Sequence, residues 1–180
     1  MGLEWSGVTT TFWIYASIWL AAALSPLIYS WIKRTPMALG IGASLILAWL
    51  VQSILVWHLD FDLMRVLGAL RPAWALESNE MHRYITAAWL HASTIHVLGN
   101  ALVIILVGVP LEQRLGRGRF LAIYMIGVLG GNIGWTLANW GSTTFCLGAS
   151  GAAFGLLGCY LACWPRDEIE FPLILIRRWP

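Results

Sequence analysis

Long uncharged runs are the feature that most constrains this chain. Charged residues divide it into four uncharged runs of 28, 25, 28 and 46 residues, which are Trp5–Ile32, Thr35–Leu59, Tyr84–Leu111 and Phe120–Pro165. A helix needs about 20 apolar residues to cross the roughly 30 Å hydrocarbon core of a bilayer. Only 11% of the residues are charged, against roughly a quarter in soluble domains. The sequence therefore predicts an all-α, multi-pass membrane protein.

The last run is long enough for two helices. Its polar stretch Asn139–Thr144 marks the break, which leaves one helix near Phe120–Trp140 and another near Gly148–Trp164. Five membrane spans are therefore predicted.

The spans define three predicted regions. Residues 1–34 form an additional N-terminal transmembrane helix, and residues 35–164 form a core of four spans. Within the core, residues 58–83 form a long loop whose mixed apolar and charged side chains suit the membrane interface. Residues 165–180 form a tail or the start of a truncated helix.

Basic residues predict the orientation. Alternating spans leave eight Lys and Arg residues on one side of the membrane and three on the other. Because Lys and Arg are enriched in cytoplasmic loops, we expect an N-terminus outside, a cytoplasmic tail and location in the plasma membrane. A net charge of +2 is too weak to hold nucleic acid, so no nucleic-acid partner is expected.

Polar side chains occur where membrane depth makes them costly, and such groups indicate function. His96 and Asn100 share one helix face, with Ser93 three residues before His96. Ser150 stands between glycines where the last span begins. At about 1.5 Å per residue, His96 and Ser150 both lie roughly 22 Å from the inner surface. A polar site just below the outer surface is therefore predicted.

Other interpretations of these groups stay open. His96 and Asn100 could join helices by hydrogen bonds. His96, Asn100 and Ser150 could instead line the pathway of a small channel or transporter, although a pathway needs polar groups at more than one depth. Neither a metal site nor a cofactor is expected, because five residues turn a helical His91 about 140° from His96 and no third ligand is near. The pairs Gly127/Gly131 and Gly151/Gly155 predict close helix packing.

A compound motif resembles the rhomboid family of intramembrane serine proteases over about Thr35–Trp164. The matching residues, in order, are His91, His96 and Asn100, then Glu112, Arg114 and Gly116, then Gly148, Ser150, Gly151 and Phe154. The resemblance implies a rhomboid-like helical bundle with an extra N-terminal helix and with its last core helices missing. It also implies a peptidase that needs no cofactor and cuts transmembrane segments of other proteins near the outer face.

The resemblance implies a role for each motif residue. Ser150 is the nucleophile, and His96 and Asn100 form the oxyanion hole with the Ser150 backbone N–H. Glu112 and Arg114 fix the inner loop, and Phe154 packs against the catalytic base.

One part of the family pattern is missing from these residues. The family's base is a histidine on a later helix, whereas all four histidines here precede Ser150. Two interpretations follow: the chain is a fragment of an ordinary rhomboid, or it is a shortened pseudoprotease that binds membrane clients without cutting them.

The charge asymmetry generates a testable prediction. In a chain whose native cysteines are replaced, a cysteine at Ser78 should react with an impermeant thiol reagent added from outside, whereas a cysteine at Gly118 should not. Labelling of Gly118 but not Ser78 would reverse the predicted orientation.

Overall fold

The computed structural model describes residues 9–72 and 79–167. The predicted start of the first span at Trp5, part of the 58–83 loop and most of the 165–180 tail lie outside these ranges. The described helices are α1 (Thr9–Lys33), α2 (Met37–Leu59), α3 (Leu63–Gly68), α4 (Arg83–Thr86), α5 (Thr94–Leu115), α6 (Arg117–Ala138) and α7 (Ser150–Cys163), with a 3-10 turn at Ala87–Trp89. This all-helical bundle agrees with the predicted fold class.

Four of the described helices, α1, α2, α5 and α6, are long and apolar enough to cross a membrane. The predicted fifth span corresponds to α7, which has only 14 residues and is about 21 Å long. A helix of that length falls short of a hydrocarbon core about 30 Å thick. If its C-terminal end is level with one membrane boundary, its first residue must lie inside the membrane.

The C-terminal end of α7 is level with that of α5. Arg114, in the last turn of α5, forms an ion pair with Asp167, just beyond α7. The Arg114 guanidinium also lies 4.7 Å from the ring centroid of Trp164 and 5.5 Å from that of Tyr160. Arg114 also donates a hydrogen bond to the Asp167 carboxylate within this ion pair, which lowers the pKa of Asp167. The two helices run in the same direction, and because α7 is the shorter, it starts nearer to this common end than α5 does.

Helices α2, α5, α6 and α7 enclose the main core, and α1 packs on the outside of α2. The core consists of fully buried apolar side chains from all four helices, among them Ile41, Leu45, Val97, Ile104, Leu111, Phe120, Tyr124, Ala152 and Leu156. By contrast, α1 leaves most of its large apolar side chains exposed. Such a surface suits contact with lipid.

The α1–α2 turn is held by two charged residues, one near the end of α5 and one at the start of α6. Glu112 accepts a hydrogen bond from the Ala38 backbone N–H at 3.1 Å, in the first turn of α2, where a carboxylate also complements the helix dipole. The Arg117 guanidinium lies 3.4 Å from Glu112 and donates to the Thr35 carbonyl at 2.9 Å. Gly116, with φ +81°, separates α5 from α6.

The contact between α6 and α7 is built from glycines. A Cβ added to Gly131 would lie 2.8 Å from the Gly151 Cα, and one added to Gly127 would lie 2.8 Å from the Ala152 Cα. These contacts are with backbone atoms, which cannot move away as a flexible side chain could. The two helices therefore approach as closely as the glycine spacing predicts.

This contact generates a prediction with an internal control. Gly131→Ala should destabilise the fold by about 1–3 kcal/mol, because the new methyl group meets backbone. Gly130→Ala should be neutral or stabilise by up to about 1 kcal/mol, because nothing lies within 4 Å of its Cβ position and alanine is the better helix former. Thermal unfolding in detergent measures both variants. Equal effects at the two positions would contradict the glycine contact.

Candidate active site

The start of α7 lies against the polar face of α5. A Cβ added to Gly148 would lie 2.6 Å from Cε1 and 2.7 Å from Nε2 of His96, and 3.4 Å from Nδ2 of Asn100. Gly148 also has φ +111°, a conformation that other residues rarely adopt. The backbone geometry therefore requires glycine, and a side chain here would also displace the His96 ring.

Hydrogen bonds fix the segment that leads into Ser150. Cys146 and Leu70 exchange backbone hydrogen bonds of 2.7 and 3.0 Å, and the Gly148 N–H donates to the Ala87 carbonyl at 2.8 Å. Burial raises the pKa of the Cys146 thiol to about 11, so this cysteine is not a thiolate at neutral pH. The segment is attached to the loops on both sides of α4.

Helix α4 is in turn attached to α6. Asn132 donates to the Tyr84 carbonyl at 2.8 Å, and the Tyr84 hydroxyl donates to Thr136 at 3.1 Å. Arg83 is buried and donates to the carbonyls of Ala69 and Val66 at 2.8 and 2.9 Å. The loops that surround the site are therefore fixed to the bundle.

Ser150 is the first residue of α7 and is half-buried. The first backbone hydrogen bond of this helix runs from Ala153 to Ala149 at 2.9 Å. The N–H groups of the first residues of a helix have no acceptor within the helix and carry the positive end of its dipole. The Ser150 hydroxyl therefore lies where a helix start favours negative charge.

His91 differs from the sequence expectation. It does not lie on the third span, because α5 begins at Thr94 with Ser93 as its cap, and Ser93 accepts from the His96 N–H at 3.3 Å. The expected start of this span at Tyr84 is therefore wrong. His91 lies in the non-helical segment that precedes α5. It is 1% exposed and packs its ring edge-on to His96 with centroids 5.0 Å apart. It is thus beside His96 and not turned away from it.

His91 and Asn100 are hydrogen-bonded. The Asn100 Nδ2 lies 3.0 Å from the His91 Nε2. Burial, reinforced by the nearby His96, lowers the pKa of His91 to about 4, so the ring is neutral at pH 7 and can accept this bond. An amide nitrogen carries two N–H groups. One N–H of Asn100 is held by His91, and the proposed oxyanion role would fall to the second.

The structure brings Gly148 against His96 and Asn100, and Ser150 follows two residues later at the start of α7. Gly151 lies at the α6–α7 contact, whereas Glu112, Arg114 and Gly116 lie at the opposite end of the bundle. Phe154 is 70% exposed on α7, and its predicted contact with a base stays a prediction.

Sequence reasoning missed Gln52, which pairs with the His91 backbone. The signal was present, since Gln52 is an amide within an otherwise apolar span.

Comparison with known proteins identifies the family. A family model described as the rhomboid domain matches residues 78–177, which is more than half of the chain. The chain belongs to the rhomboid family. It is an integral membrane protein.

Similar proteins are found in plants, bacteria and animals. RHOMBOID-like protein 1 of Arabidopsis thaliana is 42% identical over 96 residues, which is 53% of this chain and 24% of that protein. YdcA of Bacillus subtilis, provisionally named a rhomboid protease, is 43% identical over 84 residues, 47% of this chain and 42% of that protein. Human Rhomboid-related protein 3 is 34% identical over 99 residues, 53% of this chain and 24% of that protein.

The matched segment spans less than half the length of each of these relatives. No solved structure matches the chain with significance.

Proposed function

We propose that this chain carries the nucleophile and the oxyanion hole of a serine endopeptidase that cleaves transmembrane segments of other membrane proteins. The observation that supports the proposal is the contact of Gly148 with His96 and Asn100. It brings the start of α7, with Ser150, against a face of α5 that carries an imidazole and an amide. Those are the groups that acyl transfer by serine requires.

In the proposed reaction the Ser150 Oγ attacks the carbonyl carbon of the scissile peptide bond. Its proton passes to a base, and the carbonyl oxygen becomes an oxyanion. Three donors would stabilise that charge: the free N–H of Asn100, a ring N–H of His96 and the backbone N–H of Ser150. Collapse of the intermediate breaks the C–N bond, the leaving amine takes the proton, and water then hydrolyses the acyl-serine.

The orientation of the site follows from the sidedness of the chain. We propose that the N-terminus and the start of α5 face the outside of the plasma membrane, as the distribution of Lys and Arg suggests. Substrate segments would then be cut within the membrane, below its outer surface. The short α7 supports this depth, because its 14 residues start with Ser150.

The base has no candidate among the residues of this polypeptide. Its histidines are His58, His82, His91 and His96. The Nε2 of His91 is held by Asn100, and His96 is assigned to the oxyanion. We therefore propose that a base from a further segment completes the site, as the family resemblance implies, and that the 180 residues alone do not turn over substrate.

A fluorophosphonate probe tests whether the 180-residue polypeptide is inactive and whether a further segment completes the site. We expect no labelling of Ser150 in the purified 180-residue polypeptide, because an unassisted serine hydroxyl is a poor nucleophile at neutral pH. A version extended by the family's two further helices should be labelled at Ser150, as mapped by mass spectrometry.

Ser150→Ala in the extended version is the control and should abolish labelling. Failure of the correctly folded extended version to react would contradict the peptidase proposal and favour a pseudoprotease that binds clients. Labelling of the short polypeptide that is lost in both Ser150→Ala and His96→Ala would assign the base to His96 instead.

A further inference from the structure

Gln52 lies in α2 and is 3% exposed. Its side chain pairs with both backbone groups of His91: Nε2 donates to the His91 carbonyl at 3.2 Å, and Oε1 accepts from the His91 N–H at 3.2 Å. A buried backbone group without a partner is costly, and His91 lies outside any helix. Gln52 thus supplies the hydrogen bonds that a helix would otherwise provide.

These bonds reach the candidate oxyanion hole. The His91 ring accepts from Asn100 at 3.0 Å, so the backbone position of His91 sets where the Asn100 amide is held. The orientation of the second Asn100 N–H therefore depends on Gln52, although Gln52 lies two hydrogen bonds away from Asn100.

Gln52 also contacts the loop between α2 and α3. Its Nε2 donates to the Asp62 carboxylate at 2.9 Å. Asp62 is the cap of α3, since its other oxygen accepts from the Arg65 N–H at 2.9 Å, and the Arg65 guanidinium lies 3.3 Å from Asp62. One side chain thus connects this loop with the segment that holds Asn100.

We propose that Gln52 is a positioning residue for the oxyanion hole, acting through His91 on Asn100. The catalytic consequence rests on the proposed function, whereas the effect on His91 and Asn100 does not. In the absence of Gln52 the Trp89–Ser93 segment loses its partner for both His91 backbone groups, and the Asn100 amide is no longer held in one orientation.

The test uses Gln52→Met, which keeps side-chain length and removes every hydrogen bond. Ser53→Ala is the matched control, because Ser53 is the next residue and lines the same cavity of about 330 Å³ as Gln52, Asp62 and His91. Hydrogen exchange of the His91 backbone N–H and the Asn100 side-chain amide is followed by NMR in micelles of the full 180-residue chain.

We expect both exchange rates to rise at least about tenfold in Gln52→Met, the loss that one hydrogen bond of ordinary strength accounts for. Ser53→Ala should leave both rates unchanged. A folded Gln52→Met chain with unchanged rates, or one whose thermal stability alone falls, would overturn the proposal. The unaltered chain is a further test: fast exchange of its Gln52 side-chain amide would contradict the pairing however the variant folds.

The effect of Gln52 on catalysis is measured in the version extended by the family's two further helices. Gln52→Met should lower kcat at least about tenfold with little change in KM, since the residue acts on transition-state donors and not on substrate binding. If the extended version is inactive, the proposed function fails and the exchange measurement still decides the role of Gln52. An active extended version with unchanged kcat in Gln52→Met would limit Gln52 to a structural role.

Discussion

The whole arrangement depends on the absence of water from the hydrocarbon core, where every backbone N–H and C=O must find a partner within the protein. Helices meet this demand along α1, α2, α5 and α6. The site lies where the chain departs from long helices, and there the partners come from elsewhere. Gln52 pairs with the backbone of the non-helical His91, and the Ala87 carbonyl accepts from Gly148. These bonds allow a non-helical segment and a helix start to meet inside the bundle.

The opposite end of the bundle sets the level at which they meet. Arg114 and Asp167 join the ends of α5 and α7, and Glu112 with Arg117 joins α5 and α6 to the α1–α2 turn. The family resemblance implied that Glu112 and Arg114 fix the inner loop. In the structure Arg117 is the partner of Glu112, whereas Arg114 holds Asp167. Because the C-terminal end of α7 is fixed by this ion pair, the short helix begins beside the turn of α5 that carries His96. Glycines let α6 pack closely against α7.

Much of this could be predicted from local patterns. Uncharged runs located the four long helices to within several residues, except at the start of α5. The equal depth of His96 and Ser150 stays a prediction. The start of α5 could not be predicted, because an uncharged run looks the same whether it is helical or extended. The His91 backbone is paired with Gln52, which is 39 positions away in sequence, and single-sequence periodicity carries no information about such pairs. The length of α7 was missed for a similar reason, since Leu147 and Gly148 are as apolar as the helix that follows.

The central claim is that Asn100 stabilises charge that develops on the substrate during attack by Ser150. The most direct measurement is the steady-state kinetics of Asn100→Ala in the extended, active version with a transmembrane substrate. Loss of one oxyanion-hole donor should lower kcat by roughly 100-fold, about 3 kcal/mol of transition-state stabilisation, with KM little changed. A folded Asn100→Ala enzyme with unchanged kcat would contradict the account and leave the Asn100–His91 pair as a structural hydrogen bond.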